Sequence, residues 1–246
     1  MIPKIIHYCW FGRNPLPELA EVCIESWKKY LPDYEIIEWN ESNFDVTQNN
    51  YISQAYSCGK YAFVSDFARY KILHEHGGLY FDTDVEIIKP LHDIIAKGSF
   101  MAIETIGNIN PGLGFGVLPN LPILKNLLDE YSNVDFILPN GKLNQTTIVD
   151  YTSSVLVKNG LQNEDVFQHV AGINIYPKAF FNPMIYDTKE IVISENTLSI
   201  HHYAGSWCDE PSFTLKLKHF LARLMGKKLL NIIQKITHRN DEYWKK

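Results

Sequence analysis

Residues 65–86, SDFARYKILHEHGGLYFDTDVE, form the stretch that decides the fold. Its helical first half ends at a Gly-Gly pair, which predicts a left-handed helix stop because glycine tolerates positive φ. Leu79–Phe81 then predicts a short buried strand, and two carboxylates, Asp82 and Asp84, follow it one residue apart. The stretch therefore predicts a helix, a turn, a strand and an acidic tip in immediate succession.

The acidic tip is the first place to expect chemistry. Two nearby carboxylates raise each other's pKa unless a cation neutralises them. Mg²⁺ and Mn²⁺ prefer oxygen ligands and leave positions open for phosphate oxygens. Asp82 and Asp84 therefore predict a divalent metal with a phosphate-bearing ligand. The alternative from these residues alone is a solvated acidic turn, because a bare DxD pattern is a weak signal.

The segment before this stretch indicates the fold class. Lys4–Trp10 is an apolar run typical of a buried strand, Glu18–Tyr30 has helical spacing, and Tyr34–Trp39 is a second apolar run. Strand, helix and strand at this distance predict a βαβ unit. The fold class is therefore α/β, with a mixed, mostly parallel sheet flanked by helices. Further strands are expected at 100–104, 115–118, 173–176 and 198–203, and further helices at 121–131 and 146–158.

Charge is unevenly distributed along the 246 residues. Residues 212–246 hold nine Lys/Arg against two Asp/Glu, a net of +7, so the net of −5 for the whole chain leaves −12 for residues 1–211. An acidic body argues against nucleic-acid binding. We predict a domain at 1–211 and a basic amphipathic helical segment at 212–246. That segment is either a surface helix or a peripheral contact with an anionic membrane.

Cellular location is also an expectation from the sequence. The four cysteines show no CxxC pair and no zinc or disulfide spacing, which predicts reduced thiols. The N-terminal residues lack a secretory signal pattern, and no apolar run reaches the roughly 18 residues of a membrane span. We expect a cytoplasmic protein, with peripheral attachment to the inner face of the plasma membrane as an option.

Polar residues elsewhere offer candidates for a second half of the site. Asp66 and Arg69 are three apart on one helix, so they form either an ordinary salt bridge or a ligand contact. Asn108, Asn110 and the turn at 144–146 are further polar residues, near a Gly-rich segment.

Three stretches together resemble a known family. IPKIIHYCWFG at 2–12, SDFARYKILHEHGGLYFDTDVEIIKPL at 65–91 and HHYAGSW at 201–207 are similar to family 32 glycosyltransferases of the DXD sugar-binding type. Members act in capsular polysaccharide synthesis and are related to the yeast initiating mannosyltransferase and, distantly, to clostridial glucosylating toxins. The resemblance is dense over residues 2–90 and implies a GT-A type fold. It is thin over residues 105–170, where it implies the side that binds the sugar acceptor, including Asn108, Asn110 and the turn at 144–146.

The resemblance also implies roles for the donor-binding residues. Trp10 would stack on the nucleotide base, and Asp66 and Arg69 would contact the ribose or the donor sugar. Tyr80 would line the nucleotide pocket. Asp82 would hold the ribose and a metal-bound water or phosphate.

The remaining implied roles concern the metal and the diphosphate. Asp84 would bind Mn²⁺ directly. His202 would complete the metal or diphosphate shell, with His201 as second choice. Ser206 and Trp207 would lie on a loop that closes over the diphosphate. The catalytic set is then Asp82, Asp84, Arg69 and Trp207.

The activity implied is a metal-dependent, retaining transfer of a hexose from a nucleotide-sugar. UDP-galactose or UDP-glucose is the favoured donor, with GDP-mannose next, and a cell-surface polysaccharide or lipid-linked oligosaccharide is the expected acceptor. Two alternatives stay open. A haloacid-dehalogenase-type phosphatase also carries a DxD after an apolar strand, but Glu86 stands where that motif needs Thr or Val. A non-catalytic nucleotide-sugar-binding module would bind without transfer.

Overall fold

A computed structural model describes residues 1–185 and 190–205 of the chain. Ten strands and seven helices are interspersed along the described residues. The strands are β1 Ile5–Cys9, β2 Glu35–Trp39, β3 Gly78–Tyr80, β4 Val85–Ile87, β5 Phe100–Thr105, β6 Asn108–Ile109, β7 Phe115–Val117, β8 Gln168–Val170, β9 Ile173–Tyr176 and β10 Ser199–His201. The helices are α1 Glu18–Tyr30, α2 Asn50–Ser57, α3 Tyr61–His76, α4 His92–Ala96, α5 Pro122–Asp129, α6 Ile148–Lys158 and α7 Lys178–Phe181.

The main sheet has the strand order β2-β1-β3-β7-β5-β9-β8, with β6 paired to β5. β1 pairs in parallel with β2 and β3, and β5 pairs in parallel with β9. β7 is antiparallel to both β3 and β5, so β3 and β5 point the same way. Five strands therefore share one direction, and only β7 and β8 on this path oppose them. The predicted α/β class, with a mixed and mostly parallel sheet flanked by helices, is confirmed.

The opening stretch folds as the sequence predicts. Helix α3 runs to His76, and Gly77 follows it with φ +63° and donates its N–H to the Leu73 carbonyl at 2.9 Å. β3 then passes between β1 and β7. Alternation along this strand sends Leu79 to one cluster of buried apolar residues and Tyr80 to the other. Tyr80 thereby lies in the same cluster as α3.

A separate two-stranded sheet leads away from the acidic tip. β4 pairs antiparallel with β10, with His201 opposite Val85. Helix α1 covers β4, because the buried Trp27 donates its indole N–H to the Val85 carbonyl at 2.7 Å. The Ile87 N–H is bound by Ser26 Oγ at 2.9 Å. These bonds fix the strand that follows the tip and, through it, β10.

The described residues divide into two compact units. Met1–Pro183 and the segment from Ile193 form the first, which contains every strand and helix named above. In the second unit, Met184 and Ile191 form an antiparallel bridge. The predicted basic segment at 212–246 and its boundary at 211 lie outside the described residues.

Two sequence expectations concern cysteines and membranes. Cys9, Cys23 and Cys58 are unpaired within the described residues, and Cys208 lies outside them. Within 1–185 and 190–205, every helix is too short or too polar to cross a bilayer.

Candidate functional site

The acidic tip is a tight turn between β3 and β4. The Val85 N–H donates to the Asp82 carbonyl at 3.0 Å, which closes the turn over Thr83 and Asp84. The Asp82 N–H in turn donates to the Gly112 carbonyl at 3.0 Å. Both carboxylates are therefore held at the carboxyl end of β3, where open α/β sheets bind ligands.

Arg69 connects helix α3 to this tip. Its Nη2 lies 2.9 Å from Asp66 Oδ1, and its Nη1 lies 3.1 Å from Asp82 Oδ1. The guanidinium also lies over the Tyr80 ring, 4.6 Å from the ring centroid, and the Tyr80 hydroxyl is 3.4 Å from Asp82 Oδ1. Asp66, Arg69, Tyr80 and Asp82, which the resemblance implies to act together, form one contact network.

Burial and mutual charges shift the pKa values of the ionisable groups in this network. Asp66 and Arg69 are both almost fully buried. Burial raises the pKa of Asp66 to about 7, with Arg69 opposing the rise and Asp82 adding to it. Burial alone would lower the pKa of Arg69, but Asp82, Tyr80 and Asp66 together raise it well above its usual value. Arg69 is thus a permanent cation that two carboxylates share.

The paired histidines point to different partners. His201, at the end of β10, places Nε2 3.0 Å from Asp84 Oδ1. His202 places Nε2 2.9 Å from Glu86 Oε2 instead. Successive side chains of an extended chain point to opposite sides, so only one of the two can reach the tip. The sequence ranked His202 ahead of His201 for the metal shell, and this geometry reverses that order.

The contact between Asp84 and His201 is strongly polarised. Burial would raise the pKa of Asp84, but the hydrogen bond and charge of His201 and the N–H of Ala204, 2.8 Å from Oδ2, lower it below its usual value. Burial would lower the pKa of His201, but the bond to Asp84 and the charges of Asp84, Asp82 and Glu104 raise it. Negative charge at the tip therefore dominates the surroundings of this histidine.

Three of the predicted residues could hold one metal ion. One ligand atom from each of Asp82, Asp84 and His201 lies within 4.8 Å of the others. Carboxylate oxygens with one imidazole nitrogen form a donor set that suits Mn²⁺. The residues present therefore fit the divalent cation that the sequence predicts.

The other predicted donor-side residues are not tied as closely to the acidic tip. Trp10 follows β1 and donates its indole N–H to the Asn14 carbonyl at 2.7 Å, while its ring packs partly on the core. Its stacking on a base stays a prediction. Ser206 and Trp207 lie outside the described residues.

The predicted acceptor-side amides serve the local backbone. Asn110 is buried and its Oδ1 accepts from the Gly112 N–H at 2.7 Å. The exposed Asn108 donates to Thr105 Oγ1 at 2.9 Å. Asn144 accepts from the Thr146 N–H at 3.0 Å, which forms a local turn. Through Gly112, Asn110 is joined to the Asp82 N–H at the tip. Within residues 1–185 and 190–205, no comparable contact joins Asn108, Asn144 or Gln145 to the tip. An acceptor role for the set stays a prediction.

Gly112 is a site residue that the sequence reasoning missed. A Cβ built there would overlap Asp82 Oδ2 and lie 3.0 Å from Arg69 Nη1. The backbone of this loop therefore presses directly against the acidic tip, and only glycine allows that approach. The Gly-rich composition of 107–116 was the available signal, but it did not indicate which glycine mattered.

The comparisons with known proteins agree with this geometry. Residues 17–101 match the model described as the glycosyltransferase sugar-binding region containing a DXD motif. This part of the chain is therefore similar to DXD-containing glycosyltransferases. This similarity is to transferases and not to the phosphatase considered above.

Two relatives and one solved structure are similar to parts of the chain. The chain is 30% identical over 144 residues to inositol phosphoceramide mannosyltransferase 1 of Schizosaccharomyces pombe, covering 53% of this chain and 43% of that protein. It is 30% identical over 167 residues to an uncharacterised glycosyltransferase of Acanthamoeba polyphaga mimivirus, covering 64% and 62%. The PaToxG glycosyltransferase structure is 22% identical with a TM-score of 0.49, covering 64% of this chain and 69% of that one. The chain thus spans less than two thirds of these two relatives' length.

Proposed function

We propose that the protein is a metal-dependent, retaining glycosyltransferase that moves a hexose from a nucleotide-sugar to a saccharide acceptor. One observation carries the proposal. A histidine 117 residues away, His201, meets Asp84 at the acidic tip, directly beside the buried pair of Asp66 and Arg69. A solvated acidic turn would need neither the histidine nor the arginine.

The donor half of the site follows from these contacts. Asp66 and Asp82 present carboxylate oxygens that can accept hydrogen bonds from ribose or sugar hydroxyls. Arg69 holds both carboxylates in place and supplies a permanent positive charge near the diphosphate. Trp10 stays our candidate for stacking on the base, and Ser206 and Trp207 stay candidates for closing over the diphosphate.

Transfer would proceed with little covalent chemistry from the protein. Asp82, Asp84 and His201 would hold Mn²⁺ or Mg²⁺, which supplies charge neutralisation for the diphosphate leaving group. The bond from the anomeric carbon to the diphosphate oxygen breaks, and a bond to the acceptor oxygen forms on the same face. The acceptor proton passes to the departing diphosphate. Arg69 and Trp207 would stabilise the charge that develops on the leaving group.

The donor and acceptor are narrower proposals. We favour UDP-galactose or UDP-glucose as donor and a cell-surface polysaccharide or lipid-linked oligosaccharide as acceptor. GDP-mannose is kept as a third donor because one relative is named a mannosyltransferase.

A donor screen tests the proposed function. The full chain is incubated with each nucleotide-sugar, with and without Mn²⁺, and both nucleotide release and the unfolding temperature are measured. We expect metal-dependent release and protection with one donor class, since a ligand at 100 times its Kd stabilises a protein by about 2.7 kcal/mol. Mass spectrometry follows release and transfer. A donor that protects the protein from heat without any release or transfer would instead favour the non-catalytic binding module. No protection by any donor would refute the proposal.

We also propose a cytoplasmic protein whose basic segment at 212–246 contacts anionic lipid at the inner face of the plasma membrane. The support is the net charge of +7 in that segment and the suitability of a surface-bound enzyme for a lipid-linked acceptor. Co-sedimentation with vesicles of phosphatidylglycerol and phosphatidylcholine is the measurement. A chain ending at Pro211 should stay in solution, and one that still pellets like the full chain would contradict this proposal.

A further inference from the structure

Glu104 lies at the same edge of the sheet as the acidic tip. It is near the end of β5, after the buried residues Phe100–Ile103, and it is half-buried. β5 and β3 point the same way because both are antiparallel to β7. The carboxyl ends of β3 and β5 therefore open on the same side, with Asp82 beyond one and Glu104 on the other.

Two neutral donors fix the Glu104 carboxylate. Its Oε1 accepts from the Tyr203 hydroxyl at 3.0 Å and from Asn110 Nδ2 at 3.1 Å. Its backbone carbonyl accepts from Asn182 Nδ2 at 3.1 Å. Within the described part of the chain, no lysine or arginine pairs with Glu104, and Oε2 makes no hydrogen bond. Oε1 is thus held by two hydrogen bonds, and Oε2 can accept a hydrogen bond from a ligand.

The first hydrogen-bond donor, Tyr203, connects Glu104 to Asp84. The Tyr203 ring packs on the His201 ring with centroids 4.1 Å apart, and His201 Nε2 lies 3.0 Å from Asp84 Oδ1. Tyr203 adopts positive φ, +51°, which is uncommon for a residue with a bulky side chain. A backbone turn of this kind places the hydroxyl on Glu104 while the ring stays on His201.

The second hydrogen-bond donor, Asn110, connects Glu104 to Asp82. Asn110, which donates to Glu104, accepts from the Gly112 N–H at 2.7 Å, and the Gly112 carbonyl accepts from the Asp82 N–H at 3.0 Å. Two separate chains of contacts therefore join Glu104 to the two aspartates of the tip. A carboxylate fixed so firmly relative to the site can position a ligand.

We propose that the free oxygen of Glu104 accepts a hydrogen bond from the acceptor hydroxyl and positions it for transfer. This inference rests on the proposed function. The contacts argue against a donor role, because Glu104 is joined to the tip through Tyr203 and Asn110 and not through the proposed donor residues Asp66 and Arg69. A carboxylate near Asp82 and Asp84 repels a diphosphate, whereas a neutral sugar hydroxyl is a hydrogen-bond donor that matches it.

The test compares Glu104→Gln with the wild type and with Glu21→Gln, which makes the same change at an exposed position of α1. Gln keeps an oxygen for Tyr203 and Asn110, but it replaces the free anionic oxygen by an amide. The donor half is read by the protection from heat that UDP and Mg²⁺ give. The acceptor half is read by NMR saturation transfer to the methyl glycosides of glucose, galactose and mannose, with UDP and Mg²⁺ present.

We expect the wild type and Glu21→Gln to bind at least one glycoside and Glu104→Gln to bind it about tenfold or more weakly, because a hydrogen bond to a charged group is lost. Protection by UDP should be equal in all three proteins. In steady-state transfer to that glycoside, the KM of the glycoside should rise about tenfold while the KM of the donor is unchanged. Tyr203→Phe, which frees the carboxylate but keeps its charge, should weaken glycoside binding less than Glu104→Gln.

Several outcomes would overturn the assignment. These are glycoside binding by Glu104→Gln at wild-type affinity, no glycoside binding by the UDP-loaded wild type, or a loss of UDP protection in Glu104→Gln, which would place Glu104 in the donor half. Absence of UDP protection in the wild type would refute a UDP-dependent function itself, and this inference with it.

Discussion

Lowering the pH from 7.5 to 5 should destabilise the fold through one fully buried histidine, His7 on β1. Its Nδ1 accepts from the Trp39 indole N–H at 3.0 Å, and its Nε2 lies 2.9 Å from the Gly77 carbonyl. The neutral ring with its proton on Nε2 satisfies both contacts. A second proton would set Nδ1–H against the Trp39 N–H, with the His76 ring 6.0 Å away as a further group that disfavours positive charge.

The magnitude follows from the pKa of His7. Burial is the main cause that lowers it from 6.5 to about 4, against an opposing effect of the Gly77 carbonyl. Because the folded pKa lies below the unfolded one, the stabilisation is fully present above pH 6.5 and is lost as the pH falls towards 4. The whole difference corresponds to about 3 kcal/mol, of which about 2 kcal/mol should disappear between pH 7.5 and 5.

Urea unfolding of the wild type, His7→Gln and His92→Gln at several pH values is the assay. His7→Gln should be less stable than the wild type at pH 7.5 but should lose about 2 kcal/mol less on acidification, because Gln does not titrate. The exposed His92 provides the matched control, and its variant should follow the wild-type curve. Equal pH slopes for His7→Gln and the wild type would refute the reasoning, because the proton uptake would then lie elsewhere.

Three further predictions concern the site. Arg69→Lys should lower activity by about 100-fold or more, because a lysine cannot hold Asp66 and Asp82 together. The same variant should unfold at a lower temperature than the wild type. Wild-type turnover in this variant would contradict the role of the shared ion pair. Asp84→Asn should weaken Mn²⁺ binding, measured by calorimetry, by about tenfold or more while the circular dichroism spectrum is kept; unchanged affinity would remove Asp84 from the metal site. Gly112→Ala should cost about 1–3 kcal/mol in metal or nucleotide affinity, because its Cβ overlaps Asp82; binding at wild-type affinity would show that the loop moves aside freely.

Local sequence was sufficient for helices α1 and α3 and for the contact between Asp66 and Arg69. Helix α1 has the predicted bounds, and α3 ends at the residue before the predicted glycine stop. Asp66 and Arg69 meet because they are one helical turn apart, and Asp82 follows the next strand directly. Every one of these contacts depends on spacing within about 20 residues, where helix and strand periodicities determine which side chains can meet.

Contacts between segments far apart in the sequence determined the site features that the sequence could not predict. Whether His201 or His202 faces Asp84 depends on the register of β10 against β4, and a shift by one residue would exchange them. The sequence contains both histidines but nothing that fixes that register. The importance of Gly112 was hidden for the same reason, because it depends on where β7 and its preceding loop pass the acidic tip.

The two halves of the site also differ in how the chain builds them. The proposed donor half comes from consecutive elements, α3, β3 and the tip, so changing it would disturb the centre of the sheet. The proposed acceptor half meets at Glu104 from three separate segments: β5, the loop that holds Asn110, and the chain after β10 that holds Tyr203. Tyr203 and Asn110 lie on loops outside the main sheet, where substitutions disturb the core least. A change of acceptor specificity should therefore arise around Glu104, with the contacts of Arg69 intact.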